Sequence, residues 1–228
     1  MLDIGILRYW DIEILVAALG PQQEAYNMEK LPIEFYQRSN VLTIAKELLG
    51  KILVTRWDKT VTSARIVETE AYAGVIDKAS HAYGARRTKR NEIMYEQGGH
   101  AYVYLCYGIH HLFNVVTNVR EVPHAILIRA GEPLEGIDEM LKRTGKEKLD
   151  HSLTRGPGNF SKALGIVTTH SGMSLLDKKL FIADDGLKYK RQEITASSRI
   201  GVDYAGEHAL WDYRFYVKGS PFVSGKTK

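Results

Sequence analysis

Strand-like segments follow one another along this chain with few helices between them. Five of these segments are short apolar runs rich in β-branched or aromatic side chains, and they are bounded by turns or polar loops. They are Ile52–Arg56, Ser63–Glu70, Tyr102–Tyr107, Leu112–Thr117 and Ala125–Arg129. A doubly wound parallel sheet would need a helix after nearly every strand. The pattern instead predicts a mixed α/β fold of the α+β type, a single domain around a curved, largely antiparallel sheet with flanking helices.

Helical spacing is clearest in Val41–Leu49, which has Ser39 or Asn40 as a suitable N-cap and Gly50 as a suitable C-cap. Two further segments are predicted to be helices. The first is Leu134–Arg143, which has Pro133 near its first turn, and the second is Phe160–Leu164. Three later segments read as strands, and they are Phe181–Ile182, Ile200–Val202 and Arg214–Val217.

The length of 228 residues suits one well-buried domain, or at most two small ones. Residues 1–30 show only a weak pattern, and we interpret them as an N-terminal extension of uncertain role before a single domain at 31–228. Because Met28 is a plausible alternative start, we also hypothesise that the first 27 residues are dispensable.

The composition excludes several classes of protein. Cys106 is the only cysteine, so the chain can form no intrachain disulfide, no zinc site built on cysteine pairs and no zinc-deaminase signature. The apolar run Ile14–Leu19 is too short to cross a bilayer, and we expect a soluble intracellular protein. The net charge of +4 is compatible with a nucleic-acid partner but does not by itself require one.

Two carboxylates stand two residues apart in the segment Val67–Gly74. Side chains alternate along a strand, so Glu68 and Glu70 are predicted to share a face, which Tyr72 joins if the strand continues. Arg129 ends a later apolar run and is a natural counter-charge. Such a pair either keeps Glu70 ionised and able to accept a proton from water, or is a structural ion pair.

Aromatic and basic side chains follow within forty residues. Tyr72, Tyr102, Tyr104 and Tyr107 suit core packing or the stacking of a flat ring. Four cations, which are Arg86, Arg87, Lys89 and Arg90, form either a solvated loop or a phosphate-binding loop. The adjacent pair His110 and His111 would point to opposite faces of a strand, so we predict no metal site. Arg155–Asn159 leads into a helix and could hold an anion, but it lacks the P-loop pattern.

Several short motifs occur in a fixed order along the chain. They are Val67–Gly74, Asp77–His81, Arg90–Asn91, Tyr102–Tyr104, Tyr107–Gly108, Asn114–Val116, Leu127–Ala130, Glu132–Pro133, Arg155–Asn159, Arg199–Gly201 and Arg214–Pro221. Together they resemble the alkyladenine (3-methyladenine) DNA glycosylase family, the type that includes the mammalian enzyme. The resemblance covers about Phe35 to Ser224.

The resemblance implies a monofunctional DNA-3-methyladenine glycosylase of base excision repair, a hydrolase without a cofactor that flips the damaged nucleotide into a pocket. Its partner would be damaged double-stranded DNA, and it would be a monomer with access to DNA and no membrane attachment. By motif position Glu70 resembles the general base. Arg129 and the backbone carbonyl of Ile200 resemble its partners around the attacking water.

The remaining carried-over roles concern the flipped base and the DNA. Tyr72, His81 and Tyr104 resemble the pocket walls, and Asn114 resembles the residue that clashes with the 2-amino group of guanine. Tyr107 resembles the wedge that fills the vacated stack, and the basic loop would meet phosphates.

Two departures from the family pattern lie near the pocket. Gln97–Gly99 replaces a Pro-Gly turn, and Leu112–Phe113 is bulkier than some counterparts, so both could alter the range of substrates. Two alternatives stay open: a non-catalytic reader of damaged DNA, and a nucleoside or nucleotide hydrolase.

Overall fold

The structure is a computed structural model, and it describes residues 28–225. The segment 1–27, and with it the hypothesis that this segment is dispensable, lies outside the described residues. No helix within the described part of the chain has the length and apolar character needed to cross a membrane.

A single large sheet dominates the fold. Its strands are β1 Glu29–Lys30, β2 Ile52–Trp57, β3 Thr60–Tyr72, β4 Ala101–Cys106, β5 His110–Thr117, β6 His124–Glu135, β7 Leu180–Asp184, β8 Ile194–Ser197 and β9 Arg214–Val217. Their order is β1-β7-β2-β3-β6-β5-β4, and β9 pairs with both β3 and β8. Every strand pairing among residues 28–225 is antiparallel, which confirms the predicted fold class.

Helices flank this sheet, and they are α1 Ile33–Gln37, α2 Val41–Glu47, α3 Ile137–Thr144 and α4 Pro157–Ala163. Short 3₁₀ turns connect the other elements. The start of α2 is as predicted, because the Asn40 side chain accepts a hydrogen bond from the Thr43 N–H at 3.0 Å. Ile44 and Ala45 of α2 are fully buried against the sheet.

One predicted element begins too early and another is not regular structure. The helix predicted over Leu134–Arg143 begins only at Ile137, and Pro133 lies in β6, which is much longer than its predicted apolar centre. The break comes at Gly136, whose φ of 73° ends the strand and precedes the helix. The strand predicted over Ile200–Val202 is irregular, because Gly201 has a φ of 79°.

β3 is the element that positions the site. One of its edges pairs with β6 along most of its length, and the other pairs first with β2 and then with β9. Its last residues, from Glu68 to Tyr72, therefore lie deep in the molecule between β6 and β9. Large side chains close the core around them, including Tyr36, Ile66, Phe113 and Phe160, each fully buried.

Candidate active site

The two carboxylates at the end of β3 are fully buried, and the arginine predicted beside them is there. Arg129 Nε lies 2.9 Å from Glu68 Oε1, and Arg129 Nη1 lies 3.3 Å from Glu70 Oε1. Antiparallel pairing of β3 with β6 brings the three side chains together. The alternation of β3 thus places both carboxylates where one guanidinium can bridge them.

Glu70 is held by three groups from separate parts of the chain. The Tyr72 hydroxyl donates to Oε2 at 2.9 Å, and the Ile200 N–H donates to Oε1 at 2.7 Å. Arg129 is the third partner. Burial, followed by the charge of Glu70, raises the pKa of Tyr72 well above its ordinary value, so this phenol remains a donor. The sequence reading assigned the carbonyl of Ile200 to the site, whereas the contact with Glu70 is made by its N–H.

Glu68 fixes the position of Arg129. Its carboxylate accepts from Arg129 Nε, from Arg214 Nε at 2.7 Å, and from the N–H and hydroxyl of Ser224 at 2.7 and 3.0 Å. Burial, the largest single influence, lowers the pKa of Arg129, but the carboxylates of Glu70 and Glu68 outweigh it and the pKa is raised. Sequence reasoning did not anticipate the contributions of Arg214 and Ser224, which lie far along the chain.

A cavity of about 540 Å³ opens in front of this cluster. Tyr72, Arg129 and Ile200 are among its lining residues, and Glu70, which contacts all three, has no exposed surface. The predicted wall residues His81, Tyr104 and Asn114 also line it. The structure therefore brings the proposed base-binding residues to one cavity, with the carboxylate at its end.

Aromatic rings form one wall of this cavity. His81 and Tyr104 meet edge to face with ring centroids 4.7 Å apart, and the rings of Tyr102 and Tyr104 are 5.4 Å apart. His81 Nδ1 and the Tyr102 hydroxyl are 2.7 Å apart, which fixes the imidazole. Burial, and then the charges of Arg90 and Arg86, lower the pKa of His81 to about 4, so the ring is neutral at neutral pH.

Asn114 is buried on β5 and faces the cavity. Its side-chain amide donates to the carbonyl of Tyr102 at 3.1 Å and to that of Leu112 at 3.2 Å. These two bonds restrict how far the side chain can turn away. A rigid polar group in this position can discriminate between bases by contact.

A second buried ion pair, between Arg199 and Asp77, lies close to the cavity-lining residue Tyr72. Arg199 binds Asp77 through both terminal nitrogens, and Asp77 also accepts the N–H groups of Ala73 at 3.1 Å and Ala79 at 3.0 Å. The Arg199 guanidinium lies 4.8 Å from the centroid of the Tyr72 ring. Both residues belong to motifs of the sequence resemblance, but their pairing was not predicted.

Comparison with known proteins decides the family. Residues 34–221 match the family model described as methylpurine-DNA glycosylase. The chain belongs to the methylpurine-DNA glycosylase family. A protein of Clostridium novyi (strain NT) named "Putative 3-methyladenine DNA glycosylase" is 43% identical over 206 residues, covering 87% of this chain and 100% of that protein. Relatives of the same name are 45% identical in Chlamydia pneumoniae (84% and 96% covered) and 43% in Bdellovibrio bacteriovorus (86% and 99% covered).

The tip of the β4–β5 hairpin lies at the edge of the cavity. Tyr107 is 89% exposed and Ile109 is 71% exposed, although both are large and apolar. β4 ends at Cys106, one residue earlier than predicted, and Tyr107 has a left-handed φ of 50°. The hairpin therefore projects an aromatic ring that packs on little of the protein itself.

The four cations of the basic loop, residues 86–90, differ in how far the rest of the protein already holds them. Arg87 pairs with Glu92 and Glu121, each at 2.7 Å, and lies 4.5 Å from the centroid of the Tyr95 ring. Arg90 lies 4.8 Å from the Tyr104 centroid and lines the cavity. Arg86 and Lys89 are exposed, and neither side chain has a hydrogen bond or ion pair with another described residue. Among these four cations, Arg87 is thus the predicted DNA contact whose charge is already paired with carboxylates of the described residues.

Two other predictions concern anions and metals. Arg155–Asn159 borders the cavity, and Arg155 Nε donates to the carbonyl of Val223 at 2.8 Å. Between residues 28 and 225, no three His, Cys, Asp or Glu side chains are grouped as a metal ion would require. His111 instead accepts the N–H of Thr168 at 3.2 Å.

Proposed function

We propose that the protein is a monofunctional DNA glycosylase that flips alkylated or deaminated purines out of duplex DNA and hydrolyses the N-glycosidic bond. The observation that carries the proposal is the position of Glu70, buried behind an aromatic-walled cavity and held by Tyr72, Arg129 and Ile200. The family supplies the general class of reaction, and this geometry supports its mechanism.

Glu70 acts as the general base for water. Oε2 accepts one hydrogen bond from the described residues, that of Tyr72, so a lone pair remains for a water molecule. Because the carboxylate has no exposed surface, a lining side chain such as that of Tyr72 must shift to let this water in from the cavity. The water oxygen attacks C1′ of the deoxyribose while its proton passes to Glu70. The bond between C1′ and the purine nitrogen breaks, and its electron pair leaves with the base. The carboxylate also stabilises the oxocarbenium-like transition state.

The aromatic wall binds the flipped base. Tyr72, His81 and Tyr104 provide ring surfaces within one cavity, and an alkylated purine that carries positive charge is attracted to electron-rich rings. Neutral His81 offers one donor and one acceptor nitrogen, one of them engaged by Tyr102. Asn114 opposes the 2-amino group of normal guanine.

The hairpin tip and the basic loop act on the duplex. Extruding a nucleotide costs roughly a few kcal/mol of lost stacking and pairing. The exposed ring of Tyr107 fills the vacated stack and offsets part of that cost. Arg86 and Lys89 are free to meet phosphates, and Arg90 would meet them from beside the Tyr104 ring. Arg87 contributes less because its carboxylate partners hold it.

The same features weigh against the two alternatives. A non-catalytic reader needs no carboxylate poised behind its pocket, and here the Glu70–Arg129 pair is intact. A nucleoside hydrolase needs no exposed aromatic side chain at the cavity mouth, and Tyr107 is such a side chain.

Base release tests the proposal directly. Duplex oligonucleotides that carry a single 3-methyladenine, hypoxanthine or ethenoadenine are incubated with the protein and then treated with alkali, which cleaves at abasic sites. We expect strand cleavage only after alkali, and none on an undamaged duplex. Cleavage without alkali, or borohydride trapping of a covalent complex, would contradict a monofunctional mechanism. Binding of lesion DNA without release of any base would identify a reader instead.

A further inference from the structure

A second cavity, of about 850 Å³, lies near the point where one edge of β3 stops pairing with β2 and begins to pair with β9. The edge of β3 pairs with β2 up to Arg65 and with β9 from Glu68 onwards. Residues of the β2–β7 side, such as Lys51 and Asp184, line one part of this cavity, and residues of β8 and β9 line another. α2 and the β7–β8 loop complete its lining. We call this cavity the rear groove.

The rear groove opens on the face of the sheet opposite to Glu70. Thr69 and Phe215 are paired across β3 and β9, and Glu70 and Arg214 are the next pair, so the two pairs point to opposite faces. The Thr69 hydroxyl donates to the Ala45 carbonyl of α2, and Phe215 lines the groove beneath Lys46. A ligand in the groove would therefore leave the catalytic cavity free for DNA.

Apolar side chains form much of the groove. They are Leu31, Phe35, Leu49, Leu187, Tyr189, Ile194, Ala196 and Phe215. Leu187 is 38% exposed although it is large and apolar, and Phe35 and Ile194 are only partly buried. This lining can accept apolar side chains from outside the described residues.

Cations of the groove outnumber the carboxylates available to them. Lys46, Lys51, Lys188 and Arg191 line it, together with Glu47 and Asp184. Asp184 pairs with Lys51 at 2.5 Å, and Glu47 pairs with Arg38, outside the groove, at 2.6 Å. Lys46, Lys188 and Arg191 are exposed, and none of the three forms an ion pair within residues 28–225.

We infer that the rear groove binds an acidic, amphipathic peptide segment of a partner protein. Its carboxylates would meet Lys46, Lys188 and Arg191, and its apolar side chains would cover the lining beside Phe215. A small phosphate ligand fits less well, because Lys51, the one buried cation among the described residues that line the groove, is already neutralised by Asp184. Duplex DNA fits less well too, because a convex polyanion would leave a concave apolar lining without partners.

Selection from a displayed library of short random peptides on the full chain tests this inference. The matched variant carries Lys188→Glu and Arg191→Glu. The control variant carries Lys178→Glu and Lys179→Glu, which make the same change of charge at exposed sites outside the groove lining. We expect enrichment of peptides that combine Asp or Glu with aromatic or aliphatic residues. Their affinity should fall about tenfold or more in the matched variant and change little in the control.

Several outcomes would overturn the inference. They are failure to enrich such peptides, equal loss of affinity in both variants, and full competition by inorganic phosphate, a mononucleotide or undamaged duplex DNA. Two other occupants are tested alongside. Tighter binding by a synthetic peptide of residues 1–27 would assign the groove to this chain's own N-terminal segment, and dimerisation that only the matched variant abolishes would assign it to a second copy. Base release by the matched variant should equal that of the unmodified protein, which shows that it is folded.

Discussion

The guanidinium of Arg199 grips the carboxylate of Asp77 through both terminal nitrogens, at 2.5 and 2.9 Å, with both side chains buried. Ile200 follows Arg199 directly and donates its N–H to Glu70, while Asp77 accepts the N–H of Ala79, two residues before His81. One ion pair thus connects the segment that contacts the Glu70 carboxylate to the loop that carries His81, a proposed base-binding residue. We propose that Arg199 is a positioning residue, which acts through Ile200 and Asp77.

Replacing Arg199 with lysine tests this coupling. Lysine keeps the charge but cannot make the paired contacts of a guanidinium, so the Ile200 N–H should lose its alignment with Glu70. We expect the single-turnover rate of base release to fall by about tenfold or more, since small misplacements near the reacting atoms are costly. The rate should be measured at saturating protein and below the unfolding temperature.

Lesion binding and an adjacent substitution separate positioning from general instability. Unfolding alone would lower rate and binding capacity together, whereas a positioning role lowers the rate of fully bound complexes. Lys78→Gln is the control, since it removes only the exposed Lys78–Glu207 pair beside Asp77 and should have little effect. An unchanged single-turnover rate of base release in Arg199→Lys would contradict the positioning role of Arg199.

Glu70→Gln and Glu68→Gln should fail in different ways. Glu70→Gln removes the proposed base but keeps the size of the side chain, so we expect base release to fall by about 10²- to 10⁴-fold with lesion binding retained. Glu68→Gln leaves Arg129 and Arg214 without the carboxylate they share, and should lower the free energy of unfolding by about 3–5 kcal/mol. Single-turnover kinetics and urea denaturation measure the two effects. Near-normal turnover by Glu70→Gln would refute its role as general base.

Local patterns predicted the elements that obey local rules. The cap at Asn40, the strands β2 and β3 and the strand Arg214–Val217 follow from neighbouring residues alone. β6 was predicted too short, because its second half is less apolar and contains a glycine and a proline that strands usually avoid. The register shifts between β3 and β6 accommodate this irregular stretch.

The sequence predicts only part of the candidate site, because several of its contacts join residues that are far apart along the chain. Glu68, Glu70 and Tyr72 follow one alternation, and Arg129 was a sensible counter-charge. Ser224 lies 156 residues from Glu68, and Arg199 lies 122 residues from Asp77, so no local pattern could pair them. Arg87 pairs with nearby Glu92 but also with Glu121, which only the fold brings back to the basic loop.

The low pKa of His81 predicts a loss of stability in acid. The ordinary histidine pKa is 6.5, and burial with nearby Arg90 and Arg86 lowers it to about 4 in the folded protein. Between these values the unfolded chain binds a proton that the folded protein does not, so stability falls as the pH drops from about 6.5 towards 4. His81→Asn should reduce this dependence in urea denaturation series.

An NMR titration of His81 gives an independent reading. We expect a midpoint at about pH 4, and a higher midpoint in the Arg86→Gln, Arg90→Gln double variant. The rise should be partial, because burial is the larger cause and remains. A midpoint near 6.5 in the unmodified protein would contradict the neutral state assigned to this ring.

The basic loop predicts unequal effects on salt dependence. Each phosphate contact contributes about 0.9 to the slope of log affinity against log salt concentration. Arg86→Ala and Lys89→Ala should each reduce the slope by about this amount, whereas Arg87→Ala should reduce it much less, because Glu92 and Glu121 already hold that side chain. Binding titrations over a range of salt concentrations would decide. Equal reductions in all three would mean that Arg87 leaves its partners on binding DNA.

Tyr107 offers the cleanest separation of stability from function. Its side chain is almost fully exposed at the hairpin tip, so Tyr107→Ala should change the free energy of unfolding by no more than about 0.5 kcal/mol. If the ring fills the space of a flipped nucleotide, the variant should bind a lesion duplex more weakly but a single-stranded lesion substrate almost normally, since an unpaired strand has no vacated stack to fill. Leu149→Ala, at a half-exposed site outside the cavity lining, is the matched control. Equal losses on duplex and single strand would show that Tyr107 contacts the base or backbone and does not act as a wedge.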